Sequence, residues 1–138
     1  MTDADPAQLL AHNSAAAIWA ADTARRFFEP SLVQVAPGNA SVTMNVRQDM
    51  LGADGRCARW AIFLLAELAM TVASNTHGQN MVSQRCDIAF LDGIGLGDRL
   101  IATASERHRG KSAAIYDVTV QTPEGRVVAE LRGEASRA

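Results

Sequence analysis

The chain has 138 residues, 48% hydrophobic and 20% charged, with a net charge of −2. That describes one globular domain with a single core, and the acidic balance argues against nucleic acid or an anionic membrane as the main partner. No apolar run reaches the ~20 residues of a bilayer span, and two cysteines, Cys57 and Cys86, are too few for a disulfide scaffold.

The two cysteines are therefore expected to be reduced, in a cytoplasmic protein, with a Cys57–Cys86 pair as the alternative. The start, "MTDADPAQLL", is acidic where a leader would be basic. His12, His77 and His108 are far apart in sequence, so no metal cluster is expected.

Asp5-Pro6 reads as an N-cap followed by a first-turn proline. Apolar residues then recur at helical spacing through Phe28, and Glu29-Pro30 closes the segment, which predicts an N-terminal helix over about 6–28. "LVQVA" and "ASVTMNV" flank "PGN" and predict a β-hairpin. After a polar loop, a helix is expected over about 58–76, apolar nearly all round, with Gly78 as its C-cap. Three or four strands are expected after it, from the β-rich stretches "MVSQRCDIAFL", "DRLIATASERH", "AAIYDVTVQT" and "VVAELRGEAS". Their short connections make the pairing antiparallel. The order predicts an α+β domain spanning 1–138, with an antiparallel sheet of about five to six strands wrapped around one long central helix.

That helix carries a polar stripe. Glu67, Thr71 and Asn75 are spaced i, i+4, i+8 and share one face, bordered by Ser74. The stripe could face solvent or a subunit contact, or Glu67 could be a buried, hydrogen-bonded acid. In the functional reading Glu67 lines a slot in an otherwise dry site and acts as general base or nucleophile. Exposed N–H groups at the helix start can polarise a carbonyl. Two turns of helix separate them from Glu67 by about 12 Å. One chain cannot bring both to a single carbonyl, so such a site needs two chains.

The order of elements and the string from Phe90 to Arg137 resemble hotdog-fold acyl-CoA thioesterases, the phenylacetyl-CoA thioesterase (PaaI-like) family in particular. The resemblance runs from about Asp22 to Arg137 through "VTMNV", "IFLLAE", Ser74-Asn75, Gly97-Asp98, Gly110-Lys111, Tyr116-Asp117 and "RGEASR". It implies hydrolysis of an acyl-CoA, an aromatic acyl group being one candidate, by a homodimer or homotetramer with each active site between subunits. It also implies no cofactor beyond the coenzyme A of the substrate. Glu67 aligns with the family's acidic residue on the helix, Thr71 matches a threonine found with a glutamate there, and the Arg59 backbone N–H falls on the oxyanion donor. The family's His-Gly-Gly before the helix is replaced by Ala58-Arg59-Trp60, and Gly52 stands at its Asn position. The replacement leaves a second reading, a non-catalytic acyl-thioester-binding protein.

Coenzyme A also calls for cations near the pocket mouth. "RHRGKS" offers Arg107, Arg109, Lys111 and Ser112, with Arg107 and Arg109 expected on one face of a strand; an ordinary solvated turn is the alternative. Trp60 and Phe63 are candidates for the acyl pocket or for plain core, and Asn75 for supporting the stripe at the substrate.

Overall fold

The computed structural model describes residues 5–138; residues 1–4, the head of the acidic N-terminal stretch, lie outside the described residues. The first helix, α1, is Pro6–Ala21. The Asp5 carboxylate accepts the Ala7 N–H at 3.1 Å, and Pro6 sits where the missing N–H costs nothing. The helix expected over 6–28 is not continuous. Asp22 turns to extended backbone, and its side chain takes the Ala24 N–H at 2.7 Å, so a local side-chain acceptor displaces the helical bond. One further turn, α2 (Arg25–Phe28), ends on Glu29 in the left-handed conformation at φ 50°.

The hairpin is β1 (Ser31–Ala36) and β2 (Asn39–Asn45), paired Ala36 to Asn39 around Pro37-Gly38. Gly38 is required there twice over. Its φ is +75°, and a Cβ would come within 3.0 Å of Glu106 Cβ on a neighbouring strand. A 3-10 turn (Gln48–Met50) and a loop lead to the central helix, α3 (Arg59–Ser74). Then come β3 (Met81–Phe90), β4 (Arg99–Arg109), β5 (Ala113–Gln121) and β6 (Val127–Arg137). The sheet has six strands in the order β1-β2-β4-β5-β6-β3, every pair antiparallel. This is the expected α+β architecture.

Strand alternation explains the core. Val42, Met44, Leu100, Ala102, Val118 and Leu131 all point to one face and are at most 2% exposed. They close around α3, whose Leu65, Ala66, Leu68 and Met70 are equally buried. Truncating Leu65 or Leu68 to Ala in such packing costs about 2–5 kcal/mol. Gly133 is part of the fit, since a Cβ there would overlap Met70 Sδ.

The sheet does not wrap α3 fully. Trp60, Phe63, Leu64, Glu67 and Thr71 are exposed or only half-buried. Their spacing of i, i+3, i+4, i+7, i+11 makes one uncovered strip along the helix. Beside it runs β3, an edge strand of the sheet.

Candidate active site

Glu67 lies in the middle of the uncovered strip, and its carboxylate is held by two hydroxyls on the same oxygen. Thr71 Oγ1 donates to Oε1 at 3.1 Å, one turn along α3, and Ser83 Oγ donates to it at 2.9 Å from β3. Oε2 receives no hydrogen bond from the described residues. Cys86 is close by: burial, and then the Glu67 charge, push its thiol up from an ordinary value of 9.0. A thiol so disposed is a poor nucleophile. Both cysteines are free, as expected.

Sequence reasoning missed Ser83. By simple alternation it shares a face with Arg85 and Asp87, the polar face of β3. A bulge between Ser83 and Arg85 shifts the register, so Ser83 pairs with the inward Ala135 and faces α3. A serine at the start of a β-rich segment, sixteen residues after the glutamate of the apolar helix, was the available cue.

Asn75 does not line the site. It is 3% exposed and caps α3, with Nδ2 donating to the Thr71 and Met81 carbonyls at 2.8 and 3.2 Å and Oδ1 accepting the Met81 N–H at 3.0 Å. These bonds cap the last turn of α3 and, through Met81, tie it to β3, because the helix stops at Ser74 and its last carbonyls need donors. Gly78, the expected cap, lies three residues further on, at φ +79°.

The start of α3 is open. Ala58 is the N-cap and has no side chain to accept from the first amides, so the N–H groups of Arg59 and Trp60 meet no intrachain cap. The approach is nonetheless rigid, with Ala58 N–H bonded to Met50 O at 2.7 Å and Cys57 N–H to Ile94 O at 2.8 Å. Beside this helix start is a groove of about 700 Å³ lined by Gly52, Ala58, Arg59, Trp60, Phe90 and Leu91 among others. The Arg59 guanidinium lies over the Phe90 ring, 5.7 Å from its centroid.

The basic cluster is split. A second bulge, between Glu106 and His108, makes Arg109 pair with inward Ala114, while Arg107 is left on the outer face of the sheet. Arg107 and Arg109 therefore do not share a face. Arg107 is bound to Asp117 at 3.2 Å, next to Arg132, whose hydrogen bond holds the Asp117 carboxyl below its usual range. Arg109 instead donates to His77 Nδ1 at 3.2 Å, and His77 Nε2 meets Glu106 Oε1 at 2.9 Å. Since Arg can only donate, Nδ1 is the acceptor and Nε2 carries the proton. Tyr116 donates to the same Glu106 oxygen at 3.2 Å, and burial followed by the Glu106 charge pushes its hydroxyl well up. Arg109, Lys111 and Ser112 then line a groove of about 790 Å³ with Gln79 and with Arg137, a cation that sequence reasoning had not singled out.

An antiparallel sheet wrapped round one long helix, with a carboxylate braced halfway along it and bare amides at its start, defines a hotdog-fold protein equipped for acyl transfer. The thioesterase superfamily model matches residues 61–129. The chain is 33% identical over 127 residues to the acyl-coenzyme A thioesterase PaaI of Escherichia coli, covering 92% of this chain and 91% of that one. It also superposes on the solved structure of the E. coli PaaI protein from the phenylacetic acid degradation operon, with a TM-score of 0.92, 32% identity and 95% of each chain covered. A Streptococcus mutans protein with acetyl-CoA bound matches with a TM-score of 0.76, 25% identity and coverage of 79% and 88%. The chain belongs to the thioesterase superfamily, among its PaaI-like acyl-CoA thioesterases. Among the described residues, no helix is long and apolar enough to cross a membrane.

Proposed function

We propose that this chain carries out the reaction of its family, hydrolysis of an acyl-CoA thioester to free acid and CoA, in a site built by two copies. The observation that carries the reading is the Glu67 carboxylate, fixed through Oε1 by Thr71 and Ser83 with Oε2 left over for chemistry. Oε2 either accepts a proton from the attacking water or itself attacks the thioester carbon, forming an anhydride that water then cleaves. In both routes the carbonyl oxygen gathers negative charge and the CoA thiolate leaves with a proton. The Arg59 N–H, open at the helix start, receives that developing charge.

The two groups are about 12 Å apart along one helix. They meet only if Glu67 of one copy faces Arg59 of the other. In a two-fold dimer the reverse pair then meets as well. The helices are therefore antiparallel and cross near Phe63, the midpoint between positions 59 and 67. The uncovered strip supplies this contact, with Trp60, Phe63 and Leu64 apolar at the crossing. A homodimer is the smallest active unit, and Trp60 and Phe63 flank the acyl group. Arg109, Lys111 and Ser112, with Arg137, take the CoA phosphates at the far end of α3. Arg107, bound to Asp117 on the outer face, has no part in this.

The test is thiol release from a panel of acyl-CoAs that includes phenylacetyl-CoA, with Glu67→Gln alongside. Loss of a general base or nucleophile predicts a fall of about hundredfold or more in kcat. Saturable binding of CoA esters with no turnover by the wild type would establish a binding protein instead.

A further inference from the structure

The groove at the start of α3 holds two guanidinium groups, Arg59 and Arg56, that form no direct ion pair among the described residues, although the Asp92 carboxylate feels the Arg56 charge. Arg59 lies over Phe90, and Arg56 lies across Gly93 so closely that a Cβ there would overlap its Nη1. Neither is within ion-pair distance of an acid among the described residues. Two carboxylates line the same groove, but both are engaged. Asp92 takes Arg126 Nη1 at 2.6 Å and the Gly93 N–H at 2.8 Å, and Asp54 takes the Arg56 N–H at 3.0 Å. Planar, delocalised cations laid on an aromatic face and a bare backbone are shaped for a carboxylate guest, which they grip with two parallel N–H bonds.

The position of Arg59 identifies where on the substrate that anion sits. This step rests on the proposed placing of the thioester carbonyl at the Arg59 N–H. The guanidinium of that residue is then no further from the carbonyl than its own side chain reaches. The phosphates of CoA are separated from the same carbonyl by the whole pantetheine arm. An anion within reach of Arg59 therefore belongs to the acyl group. The groove also offers apolar wall for the carbons in between, with Trp60 54% and Leu91 58% exposed along it. We infer that the preferred substrates are monothioesters of dicarboxylic acids, with the second carboxylate held by Arg59 and Arg56 while the first is released at Glu67.

Matched pairs test this: adipyl-CoA against hexanoyl-CoA, and glutaryl-CoA against pentanoyl-CoA. The wild type is expected to favour the charged member at least ~10-fold in kcat/KM, as a carboxylate–guanidinium contact implies. Arg56→Gln should lower that ratio through the KM of the charged substrate alone and leave hexanoyl-CoA unchanged. Arg59→Gln is read only through the ratio, which should fall toward unity. The same preference should persist in N-acetylcysteamine thioesters, which carry no phosphate. Equal losses for both members on CoA, with none on N-acetylcysteamine, would show that the arginines hold the phosphates and would overturn the inference. So would a ratio that neither variant moves. Calorimetric binding of adipyl-CoA and hexanoyl-CoA to Glu67→Gln separates the two claims. Tighter binding of adipyl-CoA supports the arginine site even without turnover, and equal binding overturns it whatever the wild type hydrolyses.

Discussion

Arg59→Pro removes the backbone N–H at the helix start together with a side chain whose loss Arg59→Ala reproduces. Arg59 is the first helical residue of α3, and its N–H meets no intrachain cap, so proline deletes no structural hydrogen bond. Ala58, which would precede the proline, is already at φ −65° and ψ 146°, inside the extended region that a following proline demands. The fold should therefore lose no more than about 1 kcal/mol, part of it the stacking of the guanidinium on Phe90. Catalysis should lose far more. Removing one oxyanion donor costs about 10²–10³ in kcat, or roughly 3–4 kcal/mol of transition-state stabilisation. Arg59→Ala is the control, since it drops the same side chain but keeps the N–H. The assay is thiol release at saturating acyl-CoA, with Tm measured on the same samples. An Arg59→Pro protein that folds normally and stays within threefold of Arg59→Ala would refute the assignment of that N–H.

Ser83→Ala removes one of the two hydroxyls on Glu67 Oε1. A bond to a charged acceptor is worth about 1.5–3 kcal/mol, so kcat should fall by ten- to a hundredfold with KM little changed; a pure KM effect would place Ser83 at the substrate instead. Lys111→Gln, in the groove with Arg109 and Arg137, should raise KM for acyl-CoAs and weaken its dependence on salt, with kcat intact. A kcat change would count against a phosphate-binding role. Stability should decline in alkali. Burial raises the Cys57 thiol from 9.0 to about 11, so the unfolded chain sheds that proton first; stability is complete below pH 9 and is lost as pH rises toward 11. Tyr116, also raised, adds to the loss at the upper end. Urea midpoints across this range should fall less steeply in Cys57→Ala, and an identical slope would show that Cys57 is not responsible.

The long helix was legible because α3 is apolar around most of its circumference and only a surrounding sheet can bury it. The hairpin and the later strands were legible from turn residues and short spacing. What period-2 reasoning could not see were the bulges. One extra residue in β4 separates Arg107 from Arg109, and another in β3 turns Ser83 inward to Glu67. A bulge leaves no mark in a polar stretch, because both faces of "SERHR" and of "SQR" read alike. Asn75 shared the spacing of the stripe but not its role. A residue two turns beyond Glu67 was also the first past the helix, where capping bonds outweigh display. The break at Asp22 was hidden for a related reason, since a side chain competing for one N–H has no periodicity.

Mixing two inactive variants tests the two-chain site most directly. Glu67→Gln and Arg59→Pro are each expected to be inactive as homodimers. A mixed dimer contains one site in which an intact Glu67 from the Arg59→Pro chain faces an intact Arg59 N–H from the Glu67→Gln chain. Its other site carries both defects. After unfolding and refolding equal amounts together, random pairing should restore about one quarter of wild-type activity. Activity no higher than the average of the two parents would contradict a site shared between chains.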